Sequence, residues 1–351
     1  MNLEFIALFS YAAWAMPNPV PQSELQLAAQ HDAAGRFREA IDALARGTQR
    51  GDLGCKTQLG KRLLAGDRAP ALPAEGAKFL QEAAVAGEPE AAARIAALTA
   101  LGHHFRQNWE GALRWLAAAA QRGWEPARQQ LRVLANGTPD IDLVAWLNTA
   151  PAQDLSAQPR VRTLDAFITP ALCEWLIARA RSRLTRARVY DPVSREDVVR
   201  ATRSNSVANF GLADIELLDV VLQAKMSHAS GVPMNQMEAP AVLHYGVGEE
   251  ASDHFDFVNP DIPDYAQEIA RNGQRIMTFL IYLNEDYEGG ETDFPKLGIR
   301  NKGRSGQGLY FVNAHTDLQP DRRMLHAGRA PTRGEKWIVS QFIRSRPTRS
   351  G

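Results

Sequence analysis

Two rhythms of apolar positions divide the chain. From about residue 24 to residue 135 the apolar step is three or four, as in Leu116, Ala119 and Ala120, the spacing of one helical face. Positions of matching character also recur at a step of 36. The columns are Gly51, Gly87 and Gly123; Leu44, Leu80 and Leu116; Cys55, Ala91 and Ala127; Leu59, Ile95 and Leu131; and Ala40, Gly76 and Ala112. Columns in phase predict a repeat whose unit is helix, Gly-centred turn, helix, with the glycine ending the first helix of each pair. Small residues let the paired helices approach closely. One helical pair cannot bury its own apolar face, so the units must stack.

Residues 136–160, NGTPDIDLVAWLNTAPAQDLSAQPR, break the repeat with Pro139, Pro151 and Pro159. They predict a linker with one short helix around Leu143 to Leu147. Beyond it the period changes. Thr169 and Pro170 open a helical run, ALCEWLIARARSRL, with the threonine as N-cap. Short β-rich runs follow: AVLHY (241–245), RIMTFLIYL (275–283), GLYFV (308–312) and KWIVSQFI (336–343). In the second run Ile276, Leu280 and Tyr282 form one apolar face and Met277, Phe279 and Ile281 the other, so this strand must be covered on both sides. Several strands behind one or two helices predict a double-sheet jelly roll. The chain is therefore read as α+β: an all-α helical-repeat solenoid over 24–135, then a double-stranded β-helix with flanking helices over 161–346.

Composition narrows the function classes. The 351 residues suit about two domains of roughly 150 residues each. Lys plus Arg is 40 and Asp plus Glu is 40, a balance that argues against a dedicated nucleic-acid binder. The two cysteines, Cys55 and Cys173, make neither a disulfide framework nor a zinc cluster, and a reducing, cytoplasmic setting is the simplest expectation. Residues 1–23 form a separate N-terminal segment. Its run MNLEFIALFSYAAWAMP is too short to span a bilayer and is broken by Pro17. Glu4 stands where a signal peptide carries positive charge, although Ala13-Trp14-Ala15 resembles a cleavage site. The expectation is an apolar strand or helix packed on the body, with neither export nor a membrane partner.

The candidate chemistry lies in the second half. His254 and Asp256 are two apart, so on extended chain an imidazole and a carboxylate share one side. His326, far down the chain, completes two histidines and one carboxylate, the set that leaves open positions on a non-heme Fe(II). Lys336 follows His326 by ten residues, and Pro331 and Gly334 between them can reverse the chain. His326 and Lys336 are expected on adjacent antiparallel strands facing one cavity. There the cation can bind the distal carboxylate of a small diacid that chelates the metal. His103 and His104 make a poor chelate, since neighbours on a helix point about 100° apart; a solvated helix end is expected. His244 and His315 are read as structural.

The strings VLHYGVGEEASDHFDF, QRIMTFLIYLNEDYEGGETDFP and LHAGRAPTRGEKWIVSQFIR, in this order and spacing, resemble the Fe(II)- and 2-oxoglutarate-dependent dioxygenases, specifically the prolyl 4-hydroxylase branch. The resemblance implies that His254, Asp256 and His326 are the iron ligands and the catalytic centre. It implies that Lys336 pairs with the C5 carboxylate of 2-oxoglutarate, that Thr292 hydrogen-bonds the same carboxylate, and that Tyr245 contacts the cosubstrate from the pocket floor. O2 as co-reactant, ascorbate as reductant, and succinate and CO2 as products of oxidative decarboxylation follow from it, coupled to hydroxylation of an unactivated C–H bond. On the substrate side, Arg275 matches a substrate-side arginine and Phe342 stands where a tryptophan is common. Arg203 and Ser206, in RSNSVANF, resemble a segment of the mobile loop over the site. Ala251 stands where the branch has a tyrosine, a departure that weakens the peptidyl-proline reading.

Residues 24–135 resemble Sel1-like repeats of the tetratricopeptide superfamily, in the AA-x-x-G pattern and in GRFREAIDAL (35–44). That implies a short superhelix of a kind whose concave side often binds proteins. Three function classes follow: a protein hydroxylase, prolyl by resemblance, whose repeats recruit its target; a hydroxylase of a free amino acid or other small molecule, with structural repeats; and a non-catalytic interaction protein. The complete triad and Lys336 argue against the third.

Overall fold

The computed structural model describes residues 22–191, 196–200 and 202–348. The apolar segment expected at 1–23 lies outside them except for Gln22 and Ser23. Helices α1 (Glu24–Ala33), α2 (Phe37–Gln49), α3 (Leu53–Ala65), α4 (Pro73–Val85), α5 (Pro89–Leu101), α6 (Trp109–Gln121) and α7 (Glu125–Ala135) follow in order. α1 opens in a capping box: Ser23 Oγ accepts from the Gln26 amide, and Gln26 Oε1 accepts from the Ser23 amide.

The step of 36 reappears as hydrogen bonds. The amides of Asp52, Glu88 and Trp124 donate to the carbonyls of Gly47, Ala83 and Ala119 at 3.0, 2.9 and 3.0 Å. Gly51, Gly87 and Gly123 precede those amides with φ of 85, 106 and 92°, a left-handed turn that strains any side chain. Gly76 has a different cause. A Cβ there would lie 2.4 Å from the Leu64 amide nitrogen, so α3 and α4 pack backbone against backbone. His103 follows α5 but is buried, not solvated. The turn after the helix folds back onto it, with the His103 and Asn108 amides donating to the Leu98 and Thr99 carbonyls, both at 3.1 Å.

The second half begins at α8 (Leu143–Leu147), capped by Asp142, whose buried Trp146 donates Nε1–H to the Leu134 carbonyl at 2.8 Å. Then come β1 (Gln153–Ser156), β2 (Val161–Leu164), α9 (Pro170–Arg181), β3 (Thr185–Arg186), β4 (Val189–Asp191), β5 (Glu196–Val198), β6 (Ser206–Asn209) and α10 (Leu217–Ser230). They are followed by β7 (Ala241–Tyr245), β8 (Ala251–His254), α11 (Pro263–Asn272), β9 (Arg275–Tyr282), β10 (Glu288–Gly289), β11 (Thr292–Phe294) and β12 (Ile299–Asn301). The chain closes with β13 (Gly308–Val312), β14 (His326–Gly328), β15 (Pro331–Arg333) and β16 (Lys336–Arg344). The stretch read as a linker thus also supplies β1, an edge strand that exists only because Gln153 finds Thr163 across a hairpin.

Among the described residues, an antiparallel sheet ordered β1-β2-β13-β9-β16-β7-β6-β3 packs against a smaller one ordered β12-β11-β14-β8. This is a jelly roll, and the protein is α+β. Leu243, Tyr245, Leu280, Tyr282, Phe311 and Ile338 of the large sheet meet Ala251 and Phe294 of the small one in an inner core. Phe279, Ile281, Trp337 and Val339, on the opposite face, pack under α9, α10 and the repeats in a second continuous core. β9 is therefore covered on both faces. Its parity slips at one end: Ile276 packs with the outer core, and the register is irregular where β16 passes Arg275.

The two halves share α10. Residues Leu217–Met226 are all buried, polar ones included. Arg94 of α5 pairs with Glu216 and donates to the Ile215 carbonyl at 2.6 Å. Gln130 of α7 donates to Glu216 at 2.6 Å and accepts from the Leu218 amide at 3.3 Å. Lys225 donates to the Trp146 and Asn148 carbonyls at 2.6 and 2.7 Å.

Candidate active site

Pairing of β14 with β8 sets His326 opposite His254, with ring centroids 4.3 Å apart. Asp256 lies just past β8 and turns back between the rings. Its Oδ1 is 3.5 Å from His254 Nε2 and its Oδ2 is 3.3 Å from His326 Nε2. Each ring is oriented from behind: His254 Nδ1 lies 2.8 Å from the Ser252 carbonyl and His326 Nδ1 3.0 Å from the Met324 carbonyl. A proton donated from Nδ1 leaves Nε2 with a lone pair for a metal. The ligand atoms lie within 4.8 Å of one another, and no other His/Cys/Asp/Glu group that could hold a metal ion occurs among the described residues.

The electrostatics fit a cation. Burial alone would raise the Asp256 carboxyl, but the charges and hydrogen bonds of His326 and His254 hold it well below the usual carboxylate range. Burial would lower His326, but the Asp256 carboxylate turns its pKa upward.

Two supporting residues escape sequence reasoning. Thr278 of β9 donates its hydroxyl to Asp256 Oδ2 at 2.7 Å, and Asn313 Nδ2 donates to Thr278 Oγ1 at 2.9 Å. The one signal available was a hydroxyl inside the apolar run of β9.

Lys336 is not on a strand adjacent to His326, contrary to expectation. β14 already has β11 and β8 at its sides, so the chain crosses through β15, which pairs with β10, and enters the other sheet as β16. Lys336 is fully buried and its Nζ has no hydrogen-bond partner. It lies 5.0 Å from the Tyr245 ring centroid and 5.8 Å from that of Tyr282. Burial pushes its pKa down to about 7. An unpaired buried cation is costly, which marks the place as built for an anion. Thr292, also buried, accepts from the Tyr282 hydroxyl at 2.8 Å, which leaves its own hydrogen to donate. The sequence shows Tyr282 only as a residue of an apolar face. Tyr245 stands in register with Lys336, and burial pushes its phenol up to about 12, so it keeps its proton.

His254 and Asp256 open onto a cavity of about 860 Å3 whose walls include Arg203, Arg275 and Phe342. Arg275 is held by Glu238 at 2.7 and 2.8 Å, and its Cζ stands over the Phe342 ring, 3.8 Å from the centroid. Ser206, expected on the substrate side, is not there. It pairs with His244, whose ring packs on Trp337 of the outer core, and directly opposed residues share a face. His244 and His315 pair instead with Glu335 and Asp321, at 3.0 and 3.9 Å.

Residues 240–344 match the family model of the 2OG-Fe(II) oxygenase superfamily. Prolyl 4-hydroxylase 1 of Arabidopsis thaliana is 31% identical over 225 residues, covering 60% of this chain and 77% of that protein. Probable prolyl 4-hydroxylase 4 of the same plant is 28% identical over 219 residues, covering 56% of this chain and 72% of that protein. A Sel1 repeat protein from Oxalobacter formigenes is similar in structure at 19% identity and a TM-score of 0.31, covering 38% of this chain and 59% of its own.

Proposed function

The chain belongs to the 2OG-Fe(II) oxygenase superfamily, among the prolyl 4-hydroxylases, and from that premise we propose that it hydroxylates a prolyl residue of a protein or peptide, releasing succinate and CO2. As a member it is a dioxygenase that uses Fe(II), 2-oxoglutarate and O2. The observation that carries the reading is Lys336, a buried, unpaired cation in the same inter-sheet space as the His254–Asp256–His326 group.

In this reading His254, Asp256 and His326 hold the iron. Lys336 and Thr292 take the far carboxylate of 2-oxoglutarate, and Tyr245 closes the floor. Once bound, iron and cosubstrate supply the oxidation that splits O2 between succinate and the substrate C–H bond. The chain's share is positioning and exclusion of water. Leu243, Tyr282, Phe294 and Ile338 pack the space around the carboxylate end. Phe342, braced by Arg275, offers an apolar wall to a pyrrolidine ring, and Arg203 stands where it can donate to a flanking peptide carbonyl. Ascorbate is the proposed reductant. The contacts of α5 and α7 with α10 support the repeats first as a buttress, with target recruitment as their second proposed role.

The test is substrate-stimulated succinate formation across proline-containing peptides, free amino acids and cell extract, with mass spectrometry locating the added oxygen. Stimulation by free amino acids alone would sink the prolyl-peptide reading.

Lys336 gives a second, sharper expectation. Lys336→Ala raises the KM for 2-oxoglutarate roughly ten- to hundred-fold and leaves iron binding nearly intact, since a charge-assisted hydrogen bond contributes about 1.5–3 kcal/mol. Lys336→Arg rescues poorly, because a planar fork does not fit a pocket shaped for an ammonium. The carboxylate needs the charged form, and Lys336 in the free pocket titrates near 7. Affinity in the wild type is therefore greatest below that pH and falls as pH rises through it. A KM that stays within about twofold between pH 6 and 9, at unchanged metal occupancy, would place the diacid elsewhere.

A further inference from the structure

We infer that Asn313 and Thr278 form a positioning relay that fixes the Asp256 carboxylate for the metal; the inference rests on reading His254, Asp256 and His326 as the metal site. Asp256 follows β8 in a bend, outside any strand ladder, so no strand pairing fixes its side chain. A carboxylate torsion is otherwise broad. What holds it comes from the opposite sheet. Thr278 sits in the middle of β9, between β13 and β16, and both it and Asn313 are completely buried.

The direction of each bond follows from donor counts. The Asn313 backbone is tied at both ends: its amide donates to the Ile276 carbonyl at 2.8 Å, and its carbonyl accepts from the Asp321 amide at 2.9 Å. Its side-chain Nδ2 donates to Thr278 Oγ1 at 2.9 Å. A hydroxyl has one hydrogen, and with Asn313 donating to the oxygen that hydrogen goes to Asp256 Oδ2, 2.7 Å away. Thr278 is β-branched and stiff at χ1, so the hydroxyl has little freedom to wander. The relay pins Oδ2, halts rotation of the carboxylate, and leaves Oδ1 beside His254 Nε2. It also ties a ligand that follows the small sheet to a strand of the large one. Asn313 and Thr278 touch neither metal nor substrate; they are positioning residues.

The test titrates Co(II) into the metal-free full chain and reads its visible absorption, alongside thermal unfolding. Thr278→Val keeps the shape and removes the hydroxyl; Co(II) affinity is expected to fall roughly ten- to hundred-fold, the usual cost of losing a group that orients a ligand. Thr278→Ser keeps the hydroxyl and stays within a few-fold of wild type. Asn313→Asp replaces the donor by an acceptor, draws the Thr278 hydrogen away from Asp256, and weakens Co(II) as Thr278→Val does. If Thr278→Val does not fold, Asn313→Asp against Thr278→Ser decides. Thr278→Val or Asn313→Asp protein that binds Co(II) as tightly as wild type, even with lowered thermal stability, reduces these residues to packing and overturns the relay. Wild-type protein that binds no Co(II) defeats the metal-site reading itself, a separate failure.

Discussion

Asp256→Ala is expected to fold yet show no 2-oxoglutarate turnover, with Fe(II) affinity lowered by more than the roughly 10–100-fold that losing a mere supporting group costs. The carboxylate is the one anionic ligand of the set, and without it two neutral imidazoles face a divalent cation. A second readout is pH. Protons compete with metal for the imidazoles, so wild-type affinity falls as pH drops through the His326 pKa. Burial lowers that pKa, and the Asp256 charge overrides burial and raises it. Removing the charge leaves burial to win, so the residual metal binding of Asp256→Ala should lose affinity only at lower pH. Isothermal titration at several pH values, with succinate assays in parallel, checks both. Full turnover in this variant would remove the triad from the mechanism.

Removing residues 1–150 is expected to leave a fragment that aggregates, although no candidate cofactor contact is cut away. His254, Asp256, Thr292, His326, Lys336 and Tyr245 all lie beyond the cut. The damage falls on α10. Its Leu217, Leu218 and Val221 belong to a core shared with Ala91–Ala100 of α5. Uncovering a large aliphatic side chain costs about 1.5–3 kcal/mol each, enough in total to approach the whole stability of a domain. Glu216 would also lose Arg94 and Gln130, and Lys225 the Trp146 and Asn148 carbonyls. The fragment should bind a hydrophobic dye and elute with the void on gel filtration. What remains monomeric should still bind Fe(II) and 2-oxoglutarate. A monodisperse fragment that hydroxylates its target as well as the intact chain would defeat both the buttressing and the recruiting role of the repeats.

Much of this protein could be read without its structure. The runs AVLHY and GLYFV coincide with β7 and β13, and the step of 36 reappears as the same amide-to-carbonyl bond in three successive repeats. Thr169 caps α9 as its side chain demands. These are local matters: helical period, β alternation, a cap or a left-handed glycine is decided by residues within one or two turns of each other. His254 and Asp256 came from a spacing of two, and His326 from the ligand set it completes, but no spacing placed it beside them. What sequence reasoning missed is non-local. Lys336 crosses to the other sheet because β14 already has a partner on each side. Ser206 turns away from the cavity because its register partner is His244, and a shift of one residue would have reversed that. Thr278 meets Asp256 across 22 residues and Asn313 across 35. Glu216 and Lys225, at and in α10, are buried because residues before 150 close on them. Local patterning determined which elements form and which residue types were at hand. Strand order, register and the packing of one half on the other decided which side chains meet, since those depend on partners that no spacing along the chain reveals.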